Sequence, residues 1–334
     1  MTRYTKFAGA AVVYTAFALY LYQPYLKNFG KIQYLLVVNA CLGSLGCFVL
    51  SRRWVSAFAG SLVAGAVYGF GPFVLGLARF HPTAGFLAAG IPWLFCPAAF
   101  AGKGRLRWLS MPFAGLPFLA IPLFFRTAAH YRLFAVSTQA KLHLADLPGL
   151  LFPLVATSRH LASIGFYHVP LSMLAMGFAM LLAARRVGII VILCLGTVLA
   201  CSNSFWEIGP IIWLSIPVVC CSVLIGVGFQ GLASAGFADR KWVLLAAVMM
   251  GVLAIVTLLL ATKYFQVFAG VADKYAKLLT ETAKMYILGA IAVAIIFFII
   301  RARLRLALLR QIVLVAALAV DIFFGARFIV DKIH

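Results

Sequence analysis

Acidic residues are the scarcest feature of this chain. Of 334 residues only seven are acids: Asp146, Glu207, Asp239, Asp273, Glu281, Asp321 and Asp331. Charged residues of both signs make up 10% of the total. A soluble domain of this length needs far more polar surface to stay dispersed in water. Cofactor and catalytic signatures are missing as well. There is no Walker loop, no Gly-x-Ser-x-Gly elbow and no His-Glu-x-x-His pair. The seven cysteines lie within or at the ends of apolar runs and form no Cys-x-x-Cys pair, which leaves no metal spacing and no disulfide framework. No cofactor is expected.

What is present is apolar. Hydrophobic residues account for 65% of the chain, and the mean hydropathy is +1.08. That much apolar surface is stable only with lipid as solvent. The net charge of +21 does not mark a nucleic-acid binder, because the Lys and Arg residues sit in short clusters between apolar runs instead of on one soluble face. The expected fold is an all-α polytopic transmembrane bundle in a single membrane domain.

A helix needs about 20 apolar residues to cross the hydrocarbon core. Apolar runs place spans near 7–23, 34–50, 54–75, 84–101, 108–125, 167–184, 187–203, 210–232, 241–262, 285–300 and 307–326. Alternate short loops are basic, among them Arg52 and Arg53, Lys103 to Arg107, Arg185 and Arg186, Arg240 and Lys241, and Arg301 to Arg310. Short-loop bias then puts the N-terminus in the cytoplasm and the C-terminus outside, as about eleven spans require. Arg3 and Lys6 open an uncleaved first helix. Two longer loops, 126–166 and 263–284, fall outside. The second carries apolar and charged stripes at helical spacing, which suits an amphipathic helix on the interface or an extension of a neighbouring span. Residues 147–155, with two prolines, suit a re-entrant or interfacial segment.

Candidate sites follow from rare residues in unusual places. Asp321 interrupts the last apolar run, and a charge in lipid usually faces the bundle or water. It suits a proton or ligand site, or else a position near the outer interface where it meets Arg327. Arg126, His130 and Arg132 fall in one outer loop, with Arg79 and His81 in another. Arg126 and His130 share a face if 126–141 is helical, and such a face suits a phosphate group or ordinary lipid headgroups. Glu207 follows Phe205 and Trp206, which suits acid–base work on a sugar or an interfacial aromatic belt. Prolines at 92, 97, 112, 117 and 122 are expected to bend two helices around a cavity. Gly65 and Gly69 have the spacing of a close helix contact within the chain.

One stretch carries a resemblance. Asn39, Gly43, Gly46, Leu50 and Arg52-Arg53, then Gly65, Tyr68-Gly69-Phe70-Gly71-Pro72-Phe73, His81-Pro82 and Pro92-Trp93 resemble the early spans of bacterial YfhO-like and GT-C-type membrane glycosyltransferases. Residues 216–242 are similar to a late span of the same proteins. The resemblance implies handling of a polyprenyl-phosphate lipid but carries no catalytic residue over to this chain, which is then a degenerate or accessory member or uses a different acid, Glu207; the outer basic cluster offers Arg126, His130 and Arg132 for the phosphate, with Arg79 and His81 nearby. The chain departs from that pattern in its first outer loop, Gln23 to Gln33, which holds no acid. Two further readings stand beside it: a transporter or flippase of a small or lipidic anion that uses Asp321, and an assembly subunit of a larger membrane complex with protein partners. A bacterial inner membrane is the expected location.

Overall fold

Lipid offers no hydrogen bonds to a bare backbone, so an apolar chain satisfies its own N–H and C=O groups by coiling into helices. In the computed structural model the described residues are 3–29, 33–80, 82–101, 107–130, 149–158, 164–184, 187–202, 208–267, 273–304 and 306–333. No strand occurs among them. The helices are α1 (Arg3–Tyr22), α2 (Tyr34–Ser51), α3 (Phe58–Gly69), α4 (Pro72–Phe80), α5 (Pro82–Ala101), α6 (Ser110–Ala114), α7 (Leu116–His130), α8 (Pro153–Ser158), α9 (Pro170–Ala183), α10 (Val187–Cys201), α11 (Ser215–Ser234), α12 (Arg240–Val267), α13 (Asp273–Arg301) and α14 (Ala307–Ile333).

Seven segments among the described residues are long and apolar enough to cross a membrane, counting α3 and α4 as one broken segment. Three more apolar helices, α7, α9 and α10, have 14 or 15 residues. At 1.5 Å per residue each is about 21–23 Å long, short of a hydrocarbon core of about 30 Å. By contrast α12 and α13, with 28 and 29 residues, reach about 42 Å.

Burial separates a centre from a rim. The α3–α4 segment has 89% of its spanning window buried, against 28% for the window in α12. On α12, Leu244, Leu245, Val248, Val252, Ile255 and Leu259 are exposed at helical spacing. An apolar face of that length is stable only against lipid. The centre forms where α3 packs on α2 and α11, and α11 on α9. Small residues make those contacts close. A Cβ added at Gly65 or Gly69 would overlap backbone oxygens of α2, at Ser44 and Ala40. At Gly177 or Gly228 it would overlap a backbone oxygen across the α9–α11 contact.

With so few acids, aromatic side chains bind the helices together by donating to spare backbone carbonyls. The Tyr14 hydroxyl donates to Leu62 O (2.8 Å), Tyr68 to Ala88 O (2.6 Å) and the Trp93 indole to Leu42 O (3.0 Å). The bare N-terminus of α3 is capped from another helix: Gln230 Oε1 of α11 accepts the N–H groups of Ser56 (2.9 Å) and Ala57 (3.1 Å).

The fold decides or corrects the sequence expectation at four places. Residues 273–284 are the first turns of α13, the extension of a neighbouring span that was one of the two expected forms. In their charged stripe Lys284 pairs with Glu281 at 2.7 Å. Pro92 and Pro97 lie inside an α5 that is helical throughout; the second proline-rich span is interrupted at Gly115, between Pro112 and Pro117, and a further interruption falls at residues 70 and 71, between α3 and α4. Within the expected outer loop, α7 continues to His130, and residues 153–158 form α8, packed on α13 and α14. Finally, α14 runs seven residues past the expected span end, to Ile333.

Candidate functional site

That extension of α14 sets the position of Asp321. The residue stands about 21 Å from the start of its helix and about 18 Å from its end. It is buried, with 1% of its surface exposed. Arg327, the partner expected from sequence, pairs instead with Asp331 one turn further on, at 2.8 Å. Asp331 also accepts the Tyr25 hydroxyl (2.6 Å), and that bond raises the Tyr25 pKa above the ordinary tyrosine value.

Asp321 pairs with the segment that leads into α9. Its Oδ1 lies 2.9 Å from His168 Nδ1, and its Oδ2 accepts the Val169 N–H at 2.6 Å. Pro170 at the helix start has no N–H, and Val169 supplies a donor just ahead of it. A carboxylate there also meets the positive end of the α9 dipole. His168 is as buried as its partner. The Tyr286 ring of α13 stands edge-on to the imidazole, with centroids 5.0 Å apart at 84°. Its hydroxyl donates to Leu151 O at 2.6 Å.

The pair adjoins the interruption of the central helix. Pro72 starts α4 and cannot donate a hydrogen bond to the preceding turn. Gly71 N–H turns back to Tyr68 O (3.2 Å), and a Cβ on Gly71 would overlap the Val67 carbonyl oxygen. The Phe70 carbonyl accepts the hydroxyl of Tyr167, the residue before His168, at 2.8 Å. Tyr167 in turn packs so closely on Gly325 of α14 that a Cβ there would overlap its ring. One dipeptide, Tyr167-His168, therefore ties the broken helix to the acid of α14. Tyr167→Phe removes the hydroxyl that Phe70 O accepts and is expected to cost about 1–3 kcal/mol; thermal unfolding of the detergent-extracted chain measures it, and an unchanged midpoint would refute the tie.

The chemistry open to this arrangement is proton exchange. With Nδ1–H donated to Asp321, His168 Nε2 is left as a buried nitrogen with no hydrogen-bond partner among the described residues. In that tautomer Nε2 is the atom of the pair open to a further proton or hydrogen bond. Discontinuous helices beside an ionisable group are a common way to build ion and substrate sites at membrane depth. Among the described residues no group of three or more His, Cys, Asp or Glu side chains comes together.

The other expected site residues are not brought to this place. Arg126 is exposed near the end of α7. Arg79 in α4 and His130 in α7 are placed by their backbone alone. His81, Arg132 and Glu207 lie outside the described residues. His168 was legible only as one more histidine on the outer side. Its signal was a polar residue between Tyr167 and the helix-starting Val169-Pro170. No protein-family model, no curated protein and no solved structure matches the chain.

Proposed function

We propose that the chain is an eleven-span transporter of a bacterial inner membrane that couples proton uptake to the passage of a small or lipidic anion. The observation that carries this reading is the His168–Asp321 pair, buried midway along α14 beside the interruption of the central helix. A structural polar pair needs no open proton-accepting atom; this one has it at Nε2. The seven long spans and the 20-residue α1 support eight crossings, and the count of eleven further requires α7, α9 and α10 to cross together with their flanking residues. The alternation of basic loops supports a cytoplasmic N-terminus and an outer C-terminus.

A second reading draws on α7. Arg126 and His130 stand four residues apart on one helix, with Arg126 exposed, as a site for a polyprenyl-phosphate lipid requires. Under this reading the chain holds such a lipid at the membrane surface, as the GT-C resemblance implies.

Proteoliposomes separate the two. The full chain is reconstituted with an inward proton gradient and offered inorganic phosphate, a dicarboxylate and a fluorescent polyprenyl phosphate. Gradient-dependent uptake at least 10-fold above empty vesicles is expected, lost in Asp321→Asn while the protein stays monodisperse. Uptake that survives Asp321→Asn would overturn the proton-coupled reading. Binding of the polyprenyl phosphate without uptake would favour the second.

A further inference from the structure

The opposite half of α14 carries a second buried charge. Arg310 retains 8% of its surface exposed. Its Nη1 donates to Ala235 O (2.7 Å), just past α11, and its Nη2 to Leu304 O (2.9 Å), just before α14. Of the five N–H groups on a guanidinium, these bonds use two and leave three. The Nε–H among them is buried with no partner. No carboxylate pairs with Arg310 among the described residues, whose ion pairs all lie elsewhere. Asp239, close by in the chain, accepts the Gly236 N–H instead, at 2.9 Å. A buried guanidinium balanced only by carbonyl dipoles keeps its full charge uncompensated.

Beside it opens a cleft of about 710 Å³, lined by Ser234, Gly236, Phe237, Arg303, Ala307 and Arg310 among others. A smaller hollow of about 220 Å³ shares Ser234 and Ala307 with it and adds Ser56, Gln230 and Gln311. None of the residues lining either space is acidic.

Arg303 supplies the second cation, from an unusual backbone. Its N–H donates to Ile300 O (3.0 Å) and that of Leu304 to Ile299 O (3.1 Å), the hydrogen-bond pattern of a Schellman ending to α13. The residue adopts φ 56°, a left-handed conformation that favours glycine. An arginine held there sends its guanidinium over the Phe237 ring, 4.8 Å from the centroid, with Arg240 over the same ring at 4.1 Å. The end of the bundle that gathers these groups also holds Arg52 and Arg53, bonded to Ser56 O and Ala99 O.

We infer that this cleft is a binding site for a phosphate group, with Arg310 as its buried anchor and Arg303 as its rim. A phosphate oxygen accepts from a guanidinium fork in the plane where Arg310 has donors left over. The apolar residues at the cleft suit a phosphate attached to an acyl chain, and its open mouth suits a free phosphate ester equally. The site lies about 16 Å along α14 from Asp321 and stands or falls independently of the transport reading.

Native mass spectrometry of the full detergent-extracted chain tests it with three probes: a phosphatidic acid, a phosphatidylcholine of the same acyl chains, and inorganic phosphate. Retention of phosphatidic acid at least 10-fold above phosphatidylcholine identifies a lipid headgroup; retention of inorganic phosphate identifies a soluble ligand. Either preference is expected to fall at least 10-fold in Arg310→Gln and about 3-fold in Arg303→Gly. The second variant keeps the left-handed turn with its natural residue, so its thermal midpoint is expected to hold. Arg310→Lys, which keeps the charge and loses the fork, is expected to recover part of the binding. No preference for phosphate over choline, or a preference indifferent to Arg303→Gly and Arg310→Lys alike, would overturn the inference.

Discussion

Asp321→Ala is expected to destabilise the bundle by about 3–5 kcal/mol, the range for breaking a buried polar pair by removing one partner. The carboxylate satisfies two buried groups on another element, the Val169 N–H and the His168 ring. Alanine fills neither role, and with both residues 1% exposed in this structure no surface solvent stands in for the lost carboxylate. Asp321→Asn behaves differently. Its carbonyl oxygen still accepts the Val169 N–H, and its amide donates to His168 Nδ1 once the imidazole proton sits on Nε2. That variant keeps the fold, loses the charge and fills the one atom free to take a proton. Stability and the proposed proton coupling are thereby separable. Thermal unfolding in detergent gives the first and the proteoliposome assay the second. A loss under about 1 kcal/mol in Asp321→Ala would mean that the pair does not hold α14 to α9.

Gly228→Val is expected to cost about 3 kcal/mol, at the upper end of what overpacking does in a well-filled interior. Even a Cβ at this position would overlap the Met173 carbonyl oxygen of α9, and Gly177 makes the reciprocal approach to Leu224 of α11. Backbone cannot yield as a flexible side chain does, so α9 must shift. Since α9 begins beside His168, the shift also disturbs the pair with Asp321. Loss of gradient-driven uptake is expected along with the stability. Gly251→Ala on α12 is the control, because nothing lies within 4 Å of its added Cβ. It is expected to be neutral or stabilising by up to about 1 kcal/mol, through helix propensity alone. Equal midpoints for the two variants would remove the claim that α9 and α11 are held at backbone contact.

Much of this architecture is written in composition. A chain with 65% hydrophobic residues and seven acids has no folded state in water, and its backbone must be helical in lipid. The close helix contact at Gly65 and Gly69 was also visible, since two small residues four apart lie on one face. Helix continuity was harder to read. Pro92 and Pro97 carry the usual signal for interruption, yet α5 runs through both, whereas the helix is interrupted at Gly115, between Pro112 and Pro117, and again at Phe70-Gly71 ahead of Pro72. A proline N–H is lost in either case; whether the helix stops depends on what else satisfies the freed groups. At the interruption, Tyr167 takes the Phe70 carbonyl.

What the sequence determined by itself was the solvent, the secondary structure and the rarity of Asp321, because each follows from residue type and local spacing. What only the tertiary structure decided was pairing. His168 lies 153 residues from Asp321, and Arg310 lies 75 residues from the carbonyl of Ala235 that it holds. Hydropathy reports whether a charge enters the membrane and carries no information about which distant group meets it there. Arg327 was the near partner for Asp321 by sequence, but one extra turn of helix gave Arg327 to Asp331. The packing of α11 against both α9 and α14 then left His168 as the group beside the acid.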